Sequence, residues 1–558
     1  MYKEEILKTD ILIIGGGTAG CQAAIHIKEK SSNTNVLIIE KANIKRSGCL
    51  AAGVNAINAY LTETETPESY AEYIKKENHG VSRYDLSFSI GEKLNEMTEK
   101  LESYGVKILK DENGKYVARA KRSIRINGEN IKPLLAKKVE ELKIPVINNC
   151  ISIDYIIENN QIKGIYAIDL RNSIFYTIYA KAVICATGGA AGIYKANNSG
   201  AAKNKMWYPP FNTGAGLAMG IRSGAEMTSF EMRFIALRTK DTISPTGTIA
   251  QGVKAKQINS KYENYMDKYT TRTTDYRLYA TVMENINGNG PCYLDTRNID
   301  EEKILDLKKA YLNMSPSILL KMKDENIDLK NNLIEIEGSE PYIVGGHGIA
   351  GYWIDKNRRT NIKGLYAVGD VAGGSSKKYV TGAMAEGEIA ADNALEYIKN
   401  INNIEESQNN NKKSIFNKIE NIKNSNNELD IIEMHEYLKN IMDKYAGGIS
   451  TNYKYNETSL NKAKLLIKNL EKNVDKVKID TNYELQLYFE LIDKITIAKV
   501  LIEHLLYRKE TRWRCYQENI DYNHLDNENW KLFVNSKYEN GELKIFTKPL
   551  DGEVMKWQ

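Results

Sequence analysis

Cysteine is scarce: six in 558 residues, at Cys21, Cys49, Cys150, Cys185, Cys292 and Cys515, with no C-x-x-C pair among them. This spacing argues against a disulfide scaffold, a zinc ribbon, or an iron–sulfur cluster held by this chain alone, and no metal site is expected. Long hydrophobic runs are also missing. The charged start MYKEEILKTD is followed only by Ile11-Leu12-Ile13-Ile14, too short for a signal core or a membrane span. A cytoplasmic chain that does not span a membrane is expected. One-sided charge is absent as well: 77 Lys+Arg against 72 Asp+Glu leaves a net +5, which is no electrostatic footprint for nucleic acid. No internal repeat is visible. The 42% hydrophobic content and 39 glycines suit a folded chain, and the length suggests about three to four compact units.

The first 60 residues supply a pattern. A buried-strand run at residues 10–14 leads into a glycine loop, a helical stretch at residues 19–30, and a second apolar strand at residues 35–39 ending at Glu40. That is β–α–β arithmetic and implies a parallel sheet. Strand-then-glycine units recur at residues 182–189 and 364–370, and the stretch 232–343 between them reads as an insertion. Residues 400–426, rich in Asn, Lys, Ser and Glu, read as a linker or a poorly packed helix. Beyond it Leu485, Phe489, Ile492 and Ile495 show helical spacing, and the tail is richer in Trp and Tyr, like short strands and loops. The expected units are 1–231, 232–343, 344–398, 399–428 (linker), 429–508 (helical) and 509–558 (tail).

Gly15-Gly16-Gly17-Thr18-Ala19-Gly20 fits G-x-G-x-x-G. The motif alone is weak. Its position between strand and helix, with Glu40 at the end of the next strand, makes it a dinucleotide fingerprint. Gly15 allows the tight turn, Gly17 lets the backbone approach a pyrophosphate, and Gly20 lets helix and strand pack closely. The helix N-terminus offers unpaired N–H groups to the anion, and Glu40 can accept from both ribose hydroxyls. Ala186-Thr187-Gly188-Gly189 and the run from Gly364 to Asp370 are not needed by a simple NAD domain. Both look like the later FAD-contacting segments of glutathione-reductase-type flavoproteins, in which the acid at the Asp370 position holds the ribityl chain. FAD is therefore expected, in an α/β fold: a glutathione-reductase-type FAD-binding Rossmann domain with an inserted α+β capping domain and a C-terminal helical domain. No second fingerprint indicates a nicotinamide domain.

Arg46-Ser47-Gly48-Cys49-Leu50-Ala51-Ala52-Gly53 resembles the flavin-contacting loop of succinate dehydrogenase and fumarate reductase flavoproteins. Membrane-bound members carry a histidine, covalently joined to FAD, where this chain has Gly48, so the resemblance implies non-covalent FAD. Further segments are similar to one branch, the adenylylsulfate (APS) reductase alpha subunits: residues 126–133, Trp207-Tyr208 ahead of Asn212-Thr213-Gly214, residues 233–241, Ser339-Glu340-Pro341-Tyr342 with Gly346-His347, and residues 378–382. The region 251–269 looks shortened, and residues 400–426 have no counterpart.

The resemblance implies an FAD-dependent oxidoreductase of sulfur metabolism. Such an enzyme would reduce adenylyl sulfate reversibly to sulfite and AMP through a flavin N5–sulfite adduct. It also implies a ferredoxin-like beta subunit with [4Fe–4S] clusters to deliver electrons. By the same resemblance the catalytic residues are Arg238 on the sulfate side, His347, Glu129, Asn58 (with Asn55 as its competitor) and Trp207 by the flavin, with Arg277 facing the nucleotide. The implied cofactor contacts are Gly15, Gly17, Thr18, Ala19, Gly20, Glu40, Lys41, Ser47, Gly48, Ala52, Gly53, Ala186, Thr187, Gly188, Gly369, Asp370 and Glu386. Without the resemblance, His347 reads as a structural histidine, Glu129 as a helix-start acid favoured by the dipole, and Trp207 as core. The rival within the fold is dicarboxylate chemistry, as in fumarate reductase, succinate dehydrogenase or L-aspartate oxidase. Against it, Thr274 stands where a proton-donating arginine is expected, and Tyr379-Val380-Thr381 replaces an Arg-Leu-Gly pattern.

Overall fold

The first strand, β1 (Lys3–Ile14), starts well before the apolar run and pairs parallel on both sides. One neighbour is β2 (Val36–Ile39), whose four residues are all buried. The other is a long strand, Ile174–Cys185, in register from Lys3↔Ile174 to Ile14↔Cys185. A parallel strand covered on both faces needs such a continuous apolar run, which VLII supplies. The computed structural model describes residues 2–203, 205–247, 252–404, 406–407, 411–423 and 428–550.

The central sheet has seven strands. Its parallel half holds Val146–Ile147, β2, β1 and Ile174–Cys185, with Leu365–Ala367 added parallel to the last. Antiparallel strands Gln161–Asp169 and Cys150–Glu158 complete it. Helix α1 (Thr18–Lys30) packs on the helix Tyr379–Ile398. Their approach is close because a Cβ on Gly387 would sit 2.5 Å from the Ala19 carbonyl oxygen. The expected strand–glycine units at residues 182–189 and 364–370 thus end at the same edge of one sheet.

The inserted region carries a four-stranded antiparallel sheet in the order Leu237–Thr239, Ile334–Gly338, Cys292–Asp295, Lys256–Ile258. Helices Thr274–Ile286, Glu301–Met314 and Pro316–Asp324 accompany it, and Leu278, Leu294, Ile304 and Ile336 share its core.

Within the presumed linker, Asn411–Lys423 is a helix with Ile419 and Ile422 buried against the main core. Ile415 and Phe416 pack on the same core, Phe416 meeting Phe175 at 4.4 Å. The rest of residues 400–426 is described only in part, since 405, 408–410 and 424–427 lie outside the described residues. Helices Ile431–Tyr445, Glu457–Asn473 and Asn482–Tyr507 form the expected helical unit. The last begins with a capping box, Thr481 and Glu484 exchanging side-chain-to-backbone bonds.

The tail docks firmly. Strands Phe533–Glu539 and Glu542–Lys548 form a hairpin on Met227–Thr228. Arg508 bridges Glu231 (2.8 Å) and Glu510 (2.8 Å), and Arg512 binds Glu510 (2.7 Å), with all four side chains fully buried. Residues 551–558 lie outside the described residues. Among the described residues no helix is long and apolar enough to cross a membrane, and no cluster of three His, Cys, Asp or Glu could hold a metal ion.

Candidate active site

One cavity of about 810 Å³ runs from the glycine loop, past the carboxyl ends of the parallel strands, to the inserted sheet. At its inner end Gly15 has φ +97°, and a Cβ there would lie 2.5 Å from the Ala186 carbonyl oxygen. Only glycine turns here without strain. A Cβ on Gly20 would fall 2.0 Å from the Gly15 oxygen, so Gly20 sets the helix-to-strand packing and sits behind the wall. Gly17, Thr18 and Ala19 border the cavity. Helix α1 has no side-chain cap and no acid in its first turn, leaving its free N–H groups and positive end to an anion.

Glu40 is buried and faces the cavity. Its carboxylate accepts from the Gly16 N–H (2.8 Å), the Ala42 N–H (2.8 Å) and Ser47 Oγ (3.0 Å). A carboxylate has about four acceptor sites, so these three donors aim the group and leave about one site for a ribose hydroxyl. Ser47 therefore orients Glu40 as well as lining the cavity. Lys41 also borders it, but its ammonium is committed to Glu490 (2.8 Å), Thr213 Oγ1 (2.9 Å) and the Phe211 carbonyl (2.9 Å).

At the middle of the cavity Gly48 has φ +74° and lies against Gly17, a backbone state that disfavours any side chain. Ala186, Thr187, Gly188, Gly369 and Asp370 complete this part of the wall. Asp370 accepts from the Tyr208 hydroxyl (2.8 Å). The residues present fit a flavin dinucleotide: an open helix start, an oriented ribose acid, and glycines where side chains would block the cradle.

Besides Gly20, three more expected cofactor contacts stand outside the lining. Glu386 is fully buried behind the wall, accepting from the Gly369 N–H (2.8 Å) with Lys378 Nζ at 3.0 Å and Arg358 at 3.5 Å. It positions the Gly369–Asp370 turn instead of touching a ligand. Ala52 and Gly53 turn away from the cavity; a Cβ on Gly53 (φ +75°) would collide with the Asn313 carbonyl oxygen at 2.2 Å.

Toward the inserted sheet, Trp207, His347 and Asn58 line the cavity, and so does Asn55. Asn58 Oδ1 accepts from Ser123 Oγ (3.0 Å). The Trp207 ring meets His347 edge-to-face at 4.8 Å, and Phe234 and Tyr379 close on the same imidazole at 4.9 and 5.5 Å. Burial pulls the His347 pKa down to about 4, against the pull of Asp370, so the ring is neutral near pH 7. Its Nδ1 has no partner among the described residues.

Arg238 stands on the inserted sheet. It is 1% exposed and does not border the cavity. Its guanidinium is held by the side-chain oxygens of Asn197 and Asn198, the Thr242 carbonyl (2.9 Å) and Glu337 (3.2 Å). It lies on a strand whose Leu237 faces the cavity, and successive side chains point to opposite faces. Glu129 is also absent from the lining: it sits against the Gly53 turn, with one carboxylate oxygen buried and without a partner among the described residues.

Arg277 does reach the cavity, braced by Gln257 (2.9 Å) and Thr246 (3.3 Å). Around it stand cations that sequence reasoning missed: Arg119, Arg122, Arg272 and Lys377. Lys377 Nζ binds Glu77 (3.0 Å) and Thr274 Oγ1 (3.0 Å). These residues come from three separate segments, around 119–122, 272–277 and 377, so no local motif marks them. The only hint for Lys377 was its place beside the recognised Lys378-Tyr379 run.

Comparison with known proteins places this geometry. The FAD binding domain family matches residues 10–383, and the fumarate reductase flavoprotein C-terminal family matches residues 435–558. The adenylylsulfate reductase subunit alpha of Megalodesulfovibrio gigas is 26% identical, covering 97% of this chain and 95% of its own. The structure of adenylylsulfate reductase from Archaeoglobus fulgidus superposes with a TM-score of 0.92 at 30% identity, covering 100% of this chain and 98% of that one. A structure of adenosine-5-phosphosulfate reductase in complex with sulfite, described as a covalent adduct, matches with the same TM-score, identity and coverage.

Proposed function

Because the chain belongs to the FAD-binding fumarate reductase-type flavoproteins, and within them to the adenylylsulfate reductase alpha-subunit branch, we propose that it interconverts adenylyl sulfate with sulfite and AMP as an FAD-dependent oxidoreductase. One observation carries this: the dinucleotide cradle and a wall of cations share a single cavity, with Trp207 and His347 between them. FAD, held without a covalent link beside Gly48, supplies the two-electron exchange with sulfur when bound.

The chain's own groups do the rest. Adenylyl sulfate and its products carry negative charge on both the sulfur and phosphorus sides. Arg277, Arg119 and Lys377 neutralise that charge, and a guanidinium can bind two oxygens at once. His347 acts as a neutral hydrogen-bonding group, donating from one ring nitrogen and accepting at the other. Trp207 packs against that imidazole and excludes water beside it. Asn58 or Asn55 orients the substrate. Arg238 and Glu386 are positioning residues, acting through the strand at Leu237 and the turn at Gly369.

A ferredoxin-like [4Fe–4S] beta subunit completes the reading, along with a cytoplasmic location. The name of the relative, a subunit alpha, and the scattered, free cysteines of this chain support both. The unit boundaries expected from sequence belong to the same proposal.

The test is acceptor reduction by purified protein with FAD, on adding AMP and sulfite together. Activity that needs both supports the proposal. No response to them, with flavin bleaching by succinate, would replace it with dicarboxylate chemistry. Iron analysis of the native complex tests the partner, and a fully active iron-free single chain would remove it.

A further inference from the structure

The C-terminal helical unit has no role in the chemistry above, yet one face of its longest helix borders the cofactor cavity. Gln486, Phe489, Glu490 and Asp493 all line it. They lie at i, i+3, i+4 and i+7 on the helix Asn482–Tyr507, which is one continuous stripe. The stripe meets the cavity at its inner end, where Glu40 and Lys41 stand, far along the chain from Trp207 and His347.

The contact there is built. Glu490 is 9% exposed and receives Lys41 at 2.8 Å and the Gln486 amide at 2.8 Å. Lys41 also donates to Phe211 and Thr213, tying the end of β2, the loop after Tyr208 and the helix to one ammonium. One turn further, Asp493 is anchored by Arg222 (2.8 Å), which also holds Asp154 (2.8 Å). Phe489 and Phe211 add aromatic surface, Phe211 being 54% exposed despite its size.

The order of groups along the cavity says which part of a ligand lies here. The pyrophosphate belongs at the start of α1 and a ribose at Glu40. Beyond Glu40, away from Asp370 and Gly48, only the base of the nucleotide half remains. We propose that the helix Asn482–Tyr507 forms the adenine-binding wall of the FAD site, with Phe489 packing on the base and the Lys41–Glu490 bridge latching the wall shut. This rests on the FAD reading. It makes the helical unit, together with Glu40, part of what distinguishes FAD from FMN, which lacks the AMP half.

The test measures binding of FAD and FMN separately to the full-length apoprotein, by quenching of flavin fluorescence. Glu490→Gln removes the latch charge and Phe489→Leu removes the aromatic face while keeping bulk. Each should weaken FAD by about 10-fold or more and leave FMN affinity unchanged. Thermal melts identify a variant that fails to fold, and the other then decides. Unchanged FAD affinity in a folded variant, or equal weakening of FAD and FMN, would overturn the proposal. A wild-type chain that binds neither flavin would sink the cofactor reading itself, an outcome distinct from the other two.

Discussion

Glu386 offers the sharpest test of how the flavin turn is held. Its side chain is fully buried between Lys378 and Arg358, themselves fully buried, and takes the Gly369 N–H. Replacing it by glutamine preserves size but leaves two cations facing an amide. Breaking a buried ion pair from one side costs about 3–5 kcal/mol, because the remaining charge cannot return to water. Lys378 keeps the Gly369 and Ala372 carbonyls (2.9 and 2.8 Å) and Arg358 keeps Ser89 (2.8 Å), so the lower end of that range is expected. At about 2.1 cal/mol/K per residue, the 558-residue chain has an unfolding entropy near 1.2 kcal/mol/K, and about 3 kcal/mol lowers Tm by about 3 °C if it unfolds as one unit. The same strain falls on Gly369 and Asp370, so FAD should also be lost more readily. Differential scanning fluorimetry and the flavin-to-protein absorbance ratio after gel filtration measure the two effects. A Glu386→Gln variant with wild-type Tm and full flavin would refute the turn-holding role.

Gly15→Ala should yield protein that purifies without flavin, since the new methyl meets the Ala186 oxygen at 2.5 Å in a φ +97° turn; a normal flavin spectrum would contradict this. Lys377→Gln should raise KM for sulfite and AMP by about 10- to 100-fold, the loss of one charged hydrogen bond, with flavin content intact; unchanged KM values would take Lys377 out of the substrate wall. His347 takes up its proton near pH 4 when folded and near 6.5 when unfolded, so the unfolded state binds more protons between those values. Stability therefore falls as pH drops from about 6.5 to about 4, by up to about 3 kcal/mol, and His347→Asn should flatten that part of the denaturation curve. Equal pH dependence in both proteins would count against a buried neutral imidazole.

Much of the cofactor end was legible in the sequence because local rules govern it. Gly15, Gly17 and Gly20 are demanded by turn geometry and close approach within a single β–α unit, and Glu40 follows at the end of the next strand. The positions of Gly188, Gly369 and Asp370 after short strands were legible for the same reason. The inserted sheet announced itself as a break between two such units. The tail and the segment around Asn411–Lys423 were less so: a hairpin docked on Met227–Thr228 and two buried isoleucines leave little local trace.

By itself the sequence determined that an FAD-type dinucleotide would lie on a parallel sheet, since strand, glycine loop, helix and acid are neighbours in the chain. The tertiary structure alone decided which side chains face the ligand. A one-residue step along a strand reverses a side chain's direction, and so Leu237 faces the cavity while Arg238 braces the wall. The cations at the substrate end converge from positions 119, 272, 277 and 377, and the proposed adenine wall comes from residues 486–493. Such groups meet only because packing brings distant segments together, and no spacing along the chain encodes that meeting.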